Sequence, residues 1–211
     1  MKIMNRMSSS QRFRITIVLI ALNVAIYVYT SVVGGDFFNT NFDMITKFGQ
    51  VNAFILYGGT AYYYQLFTAL FVHVNIVHLA GNMLFLLIFG LRGEEMFSLP
   101  EFLAIYLLSG LAGNLLSLFV MDPLIPSAGA SGAIFGMFGA CAIYARRSIG
   151  QSVVGALIFG FFLLMISTGE SVNIFAHIGG LVAGLAIGYV LARSRKTQPG
   201  YQVNYSYMTP F

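Results

Sequence analysis

Residues 129–147 read GASGAIFGMFGACAIYARR, a stretch that begins with a serine between small residues and ends with two arginines. The residues between these ends are apolar or small, which predicts a helix that crosses a membrane over residues 131–146. A hydroxyl in hydrocarbon costs free energy unless it is hydrogen-bonded. Ser131 is therefore the first candidate functional residue of the chain.

Two further apolar stretches carry a polar side chain at the same depth. An interval of 16 residues separates a polar side chain from a charged helix end in three pairs: Ser131 and Arg147, His78 and Glu94, and His177 and Arg193. This interval spans about 24 Å of helix, so each polar group lies roughly 6 Å inside a hydrocarbon layer about 30 Å thick. Asn82 follows His78 by one helical turn. Ionisable groups within a membrane indicate a functional site.

Composition places the chain among polytopic membrane proteins. Of its 211 residues, 58% are hydrophobic and only 9% are charged. An all-α membrane protein is predicted, with six transmembrane helices over residues 15–33, 76–91, 101–121, 131–146, 153–168 and 174–192. The formal net charge of +4 follows from membrane topology, so the bilayer is the expected partner and nucleic acid is not.

The basic residues predict the orientation, because Lys and Arg are retained in cytoplasmic segments. With six spans, Lys47 falls on one side of the membrane and the other ten basic residues fall on the opposite side. These ten are Lys2, Arg6, Arg12, Arg14, Arg92, Arg146, Arg147, Arg193, Arg195 and Lys196. Both terminal segments, 1–14 and 193–211, are then cytoplasmic in a protein of the cell membrane. Ser131, His78 and His177 would then lie in the outer half of the membrane and be reached from the extracytoplasmic side.

The segment between the first two spans is too long to be a bare connector. Residues 34–75 contain a Gly58–Gly59 break and the run Tyr62–Tyr63–Tyr64. Aromatic side chains with polar tips prefer the headgroup region. We expect a long first outer loop that is embedded in the outer half of the membrane.

Small residues predict which helices touch. Gly180, Gly184 and Gly188 recur every four residues in one span, as do Gly132, Gly136 and Ala140 in another. Such stripes let two helix backbones approach closely in lipid. Because His177 lies on the first stripe and Ser131 adjoins the second, their contact would bring serine and histidine together.

A serine and a neutral histidine within hydrogen-bond reach form a nucleophile and its general base. A serine at a helix start also has free backbone N–H groups beside it, which suit an oxyanion, and His78 with Asn82 would add side-chain donors. No span interior carries a carboxylate, so a Ser131–His177 dyad is predicted. Phe135, one turn beyond Ser131, is expected to stack on the imidazole.

Other functions are less favoured. Three histidines raise the alternative of a metal site, but His73 and His78 are five residues apart and lack a His-Glu-x-x-His helix or an accompanying carboxylate. No metal or cofactor is expected, and His73 is interpreted as a loop anchor. A transporter would show internal repeats or charges within its spans, and neither is evident.

Three motifs resemble those of the rhomboid family of intramembrane serine proteases: His73 with His78-Leu79-Ala80-Gly81-Asn82, Gly129-Ala130-Ser131-Gly132, and Ala176-His177-Ile178-Gly179-Gly180. The resemblance implies a six-helix rhomboid-like bundle. Its protease core would occupy residues 60–192, after a first helix and the start of the outer loop over residues 15–59. Where many bacterial members carry Trp-Arg in that loop, this chain has Tyr64-Gln65.

By resemblance, Ser131 would be the nucleophile and His177 the general base, with His78 and Asn82 stabilising the oxyanion. The implied reaction is hydrolysis of peptide bonds within or next to transmembrane segments of membrane-protein substrates. Residues 153–167 and 170–173 would form a lateral gate and a cap. The alternative is a non-catalytic rhomboid-like protein that binds membrane helices, although such relatives lose the serine or the histidine and this chain keeps both.

Overall fold

The computed structural model describes residues 15–149, 155 and 173–195, and this part of the chain is helical. The helices are α1 (Ile15–Gly34), α2 (Phe42–Phe48), α3 (Asn52–Tyr57), a 3-10 turn (Thr60–Tyr62), α4 (Gln65–Thr68), α5 (Ile76–Met96), α6 (Leu99–Val120), α7 (Ser131–Ile149) and α8 (Ile174–Ser194). Extended pairing over the described residues is limited to two isolated bridges, Asn39 with Asn75 and Gln50 with Ser127.

Four of these helices, α1, α5, α6 and α8, are long and apolar enough to cross a membrane. They correspond to the predicted spans 15–33, 76–91, 101–121 and 174–192, so the prediction of an all-helical membrane protein is confirmed. Helix α7 covers the predicted span 131–146, but it is not one of these four. The predicted fifth span, 153–168, lies outside the described residues apart from Gly155. The count of six spanning helices stays a prediction.

The segment between α1 and α5 is built from short helices whose turns are tied to the bundle. Tyr27 of α1 donates its hydroxyl hydrogen to the carbonyl oxygens of Phe37 and Phe38, each at 2.9 Å. Thr40 donates to the carbonyl of His73 at 2.7 Å. Large aromatic side chains remain exposed along this segment, as membrane-embedded aromatics would be: Phe38, Phe42, Tyr57, Tyr63 and Tyr64. Its insertion into the membrane stays a prediction.

Tyr64 and Gln65 hold this loop together. The Tyr64 hydroxyl donates to the carbonyl of Lys47 at 2.8 Å. The fully buried Gln65 accepts from the Val51 amide at 3.0 Å and donates to the carbonyl of Thr46 at 2.8 Å. The neutral Gln65 amide thus anchors the loop to backbone groups at two separate points.

Helices α6, α7 and α8 meet along their small residues. A Cβ atom built on Gly180 would lie 2.0 Å from the carbonyl oxygen of Gly132, and one built on Gly184 would lie 1.9 Å from that of Gly136. Such distances leave no room for any side chain between the two backbones. The prediction that the glycine stripes face each other is confirmed, and this contact determines where Ser131 and His177 lie.

Candidate active site

Ser131 and His177 come together where α7 and α8 begin. Ser131 is the first residue of α7, and His177 is the fourth residue of α8. The Ser131 Oγ atom lies 2.7 Å from His177 Nε2, which is a hydrogen-bond distance. His177 is only 3% exposed. The arrangement suits proton transfer from the hydroxyl to the imidazole.

The imidazole of His177 is oriented by a ring rather than by a carboxylate. Phe135 stacks on it with 4.6 Å between ring centroids and 24° between ring planes, as expected from the sequence. His177 Nδ1 has no hydrogen-bond partner among the described residues. If Nε2 accepts the serine proton, Nδ1 carries the ring hydrogen. Within the described part of the chain, no carboxylate therefore joins Ser131 and His177 as a third member.

His78 approaches the serine from α5. Asn75 caps this helix and accepts a hydrogen bond from the His78 amide at 2.8 Å. A Cβ atom built on Gly129 would lie 3.1 Å from His78 Nε2 and 3.8 Å from Ser131 Oγ. Gly129 also has a φ of +133°, which a side chain disfavours. The missing side chain at Gly129 lets the imidazole of His78 face the start of α7.

Asn82 lies one turn further along α5 and is 6% exposed. Its Nδ2 atom donates to the carbonyl of His78 at 2.9 Å, within its own helix. The second N–H of that amide group takes no part in this bond, and Oδ1 has no partner among the described residues. Asn82 is thus buried beside His78, and its contribution to an oxyanion site stays a prediction.

His73 is fully buried next to His78, with 5.3 Å between the ring centroids. Burial, together with the neighbouring His78, lowers the pKa of His73 to about 3. His73 is therefore neutral at physiological pH. Among the described residues no group of three metal-ligating side chains forms. His73 packs under the site as a neutral ring at the end of the outer loop.

The sequence did not predict a hydrogen-bonded cluster of neutral polar side chains close to Ser131 and His177. Asn173, Ser127 and Ser117 are joined by hydrogen bonds close to the starts of α7 and α8. Two signals could have located them. Asn173 occupies the capping position of α8, where asparagine is favoured. Ser127 lies four residues before Ser131 in the sequence.

Comparison with known proteins agrees with these motifs. The family model described as Rhomboid domain matches residues 60–194. Rhomboid protease GluP of Bacillus subtilis (strain 168) is 36% identical over 181 residues, which are 80% of this chain and 33% of that protein. RHOMBOID-like protein 6, mitochondrial, of Arabidopsis thaliana is 37% identical over 134 residues, which are 61% of this chain and 43% of that protein.

A third relative comes from another lineage. Rhomboid-like protease 3 of Toxoplasma gondii is 36% identical over 132 residues, which are 59% of this chain and 50% of that protein. The matched regions thus span between a third and a half of the length of these three relatives. The similarity covers the helices that carry the serine and both site histidines.

Proposed function

The chain belongs to the rhomboid family, and from that premise we propose that it is an intramembrane serine endopeptidase. It would hydrolyse peptide bonds within or next to transmembrane segments of membrane proteins. The observation that carries this proposal is the 2.7 Å distance between Ser131 Oγ, on a half-buried serine, and Nε2 of the buried His177. A non-catalytic binding protein has no need of that contact.

In the proposed reaction His177 Nε2 takes the proton of Ser131 as Oγ attacks the scissile carbonyl carbon. The tetrahedral intermediate collapses when the imidazolium returns this proton to the departing amine, and an ester remains on Ser131. Water then attacks the ester with His177 again as the base. The second product leaves as a carboxylic acid, and the serine hydroxyl is regenerated.

The negative oxygen of each intermediate needs donors. Ser131 begins α7, so its backbone N–H has no partner within the helix and can donate to that oxygen. His78 faces the same point across Gly129, and the amide of Asn82 lies one turn away. Removing one such donor typically lowers kcat by about 100- to 1000-fold. We assign His78 and Asn82 to oxyanion stabilisation on this basis.

Orientation follows from the distribution of basic residues. Ten of the eleven lie on the side opposite to Ser131 if six helices span the membrane, which makes that side cytoplasmic. The reactive groups would then be reached by water from the extracytoplasmic side. The substrate helix must unwind locally to expose an amide, so helix-weakening residues near the cleavage point are expected. The predicted gate, 153–167, lies outside the described residues apart from Gly155.

The test is labelling of the detergent-solubilised protein with a fluorophosphonate, together with cleavage of a transmembrane substrate in proteoliposomes. The wild-type chain should be labelled and should cleave. Ser131→Ala and His177→Ala should each abolish both signals. Ser194→Ala is the matched control, because Ser194 ends α8 on the opposite side and is exposed.

Two results would refute the assignment. Cleavage retained in Ser131→Ala or His177→Ala would remove the dyad from the reaction. A folded wild-type chain that is neither labelled nor active, but retains a transmembrane helix in pull-down experiments, would favour the non-catalytic rhomboid-like alternative.

A further inference from the structure

We propose that Asn173 is a positioning residue for the Ser131–His177 pair, because its side-chain amide joins the two chain segments that lead into them. This inference rests on the proposed function of the pair. It concerns a contact that involves neither substrate nor reacting atoms. Its effect would be to hold the distance between the hydroxyl and the imidazole.

Asn173 fixes the first turn of α8. Its Oδ1 atom accepts a hydrogen bond from the Ala176 amide at 3.0 Å, and its carbonyl oxygen accepts one from the His177 amide at 3.3 Å. The backbone of His177 is therefore held by the residue that caps its helix. Asn173 is itself buried, at 9% exposure, so water competes little for these bonds.

The same side chain reaches two other segments with its two N–H groups. Asn173 Nδ2 donates to Ser127 Oγ at 3.1 Å and to the hydroxyl of Ser117 on α6. Ser127 precedes Ser131 by four residues, as Asn173 precedes His177. The amide thus connects equivalent points on the approaches to the nucleophile and to the base.

The two serines are held from the other side by the outer loop. Gln50 and Ser127 exchange two backbone hydrogen bonds, at 2.8 and 2.9 Å. Asn52 donates to the carbonyl of Ser117 at 3.0 Å. Ser117 and Ser127 are therefore held in place by the outer loop. Their hydrogen bonds to Asn173 can for this reason restrain the start of α8.

The pair needs such a restraint. In a triad a carboxylate on Nδ1 fixes the position of the imidazole, whereas His177 Nδ1 has no partner among the described residues. The stack on Phe135 sets the plane of the ring but resists sliding within that plane only weakly. Hydrogen bonds at the start of α8 supply the missing restraint without placing a charge in the membrane.

The experiment compares Asn173→Ser and Asn173→Ala with the wild-type chain. Ser keeps a hydroxyl oxygen that can cap the Ala176 amide, but it lacks the N–H groups and the length with which Asn173 reaches Ser117 and Ser127. A displacement of about 1 Å can cost roughly 100-fold in rate, so a fall of about 10- to 100-fold is expected in the rate constant of fluorophosphonate labelling. In substrate cleavage kcat should fall by a similar factor and KM should change little.

Labelling rates are compared per folded molecule, measured by thermal unfolding and gel filtration of the same samples. Asn41→Ala is the matched control, because Asn41 caps α2 in the same way, with its Oδ1 accepting from the Asp43 amide at 2.7 Å. It should label at the wild-type rate. A double-mutant cycle of Asn173→Ser with Ser127→Ala should show that the two losses are not additive, because both variants remove the same hydrogen bond.

A wild-type labelling rate per folded molecule in Asn173→Ser would overturn the inference and leave the proposed protease function intact. Fully additive losses in the cycle would also overturn it. An unlabelled wild-type chain would instead contradict the proposed function, and the positioning role would fall with it.

Discussion

The two ends of α8 are held by opposite kinds of chemistry. At its start, Asn173 makes hydrogen bonds to neutral hydroxyl and amide groups, and His177 meets Ser131. Just beyond its end, the Arg195 guanidinium pairs with the Glu101 carboxylate and donates to the Tyr144 hydroxyl at 2.7 Å. The arginine side chain is 38% exposed and the glutamate 25%, whereas Asn173 and His177 at the start of α8 are buried, at 9% and 3% exposure.

The difference follows from where each end lies. Charged groups are costly in hydrocarbon, so the buried end is held by neutral hydrogen-bond partners. An ion pair at a partly exposed surface contributes only modestly to stability. We therefore expect changes at the start of α8 to affect reactivity, and changes at its end to affect stability slightly.

The largest effect is expected from Gly180→Ala, which separates α8 from α7. The added Cβ would lie 2.0 Å from the Gly132 carbonyl oxygen, and a backbone cannot yield as a side chain does. We expect a loss of at least about 3 kcal/mol in the free energy of unfolding and no fluorophosphonate labelling. Thermal unfolding and labelling measure both.

Gly81→Ala is the control for that change, because a Cβ on Gly81 of α5 meets nothing within 4 Å. An alanine there should leave stability unchanged or raise it by about 0.5–1 kcal/mol. If Gly180→Ala proved as stable as Gly81→Ala, the tight contact of α7 with α8 would be disproved.

A smaller effect is expected from Phe135→Leu, which keeps apolar volume at the start of the site but removes the ring stacked on His177. An aromatic pair is worth about 0.5–1.5 kcal/mol, so the labelling rate should fall by up to about tenfold. Phe135→Tyr retains the ring and should retain the rate. Equal rates for the Leu and Tyr variants would show that stacking does not orient the imidazole.

At the other end of α8, Glu101→Gln should lower the free energy of unfolding by about 0.5–1 kcal/mol and leave the labelling rate unchanged. The stability difference should shrink in about 1 M salt, where the Debye length is about 3 Å. Arg92→Gln, which breaks a more exposed pair with Glu95, is the control and should change neither quantity. A slower labelling rate in Glu101→Gln would contradict the expectation that the end of α8 affects stability and not reactivity.

The smallest perturbation uses single cysteines to test orientation, with no change in activity expected. Ser194→Cys, at the end of α8, should react with a membrane-impermeant maleimide only after cells are permeabilised. Asp122→Cys, after α6, should react in intact cells. Native Cys141 is buried and should give little background. The reverse pattern would invert the predicted topology.

Helix contacts within the site could be predicted because they depend on regular spacing. The glycine stripes, the shared depth of Ser131 and His177, and the position of Phe135 all follow from helical periodicity. Four spanning helices follow from length and apolar composition. The sequence therefore predicted which two side chains would meet.

Contacts between distant segments could not be predicted in this way. The partners of Asn173 lie 46 and 56 residues away in the sequence, and no periodic pattern links an amide to two serines. The short helices of the outer loop and the anchoring by Gln65 depend on backbone amide and carbonyl groups, which carry no residue-specific signal. These features emerge only when the chain has packed.

The backbone contact between α7 and α8 has a mechanical consequence. Gly180 and Gly184 leave no clearance against the carbonyl oxygens of Gly132 and Gly136, so neither helix can slide or roll over the other without a steric collision. The two helices should behave as one rigid body. If the chain cleaves as proposed, the widening that admits a polypeptide would occur along other walls of the bundle, while the backbones that carry Ser131 and His177 keep their relative position.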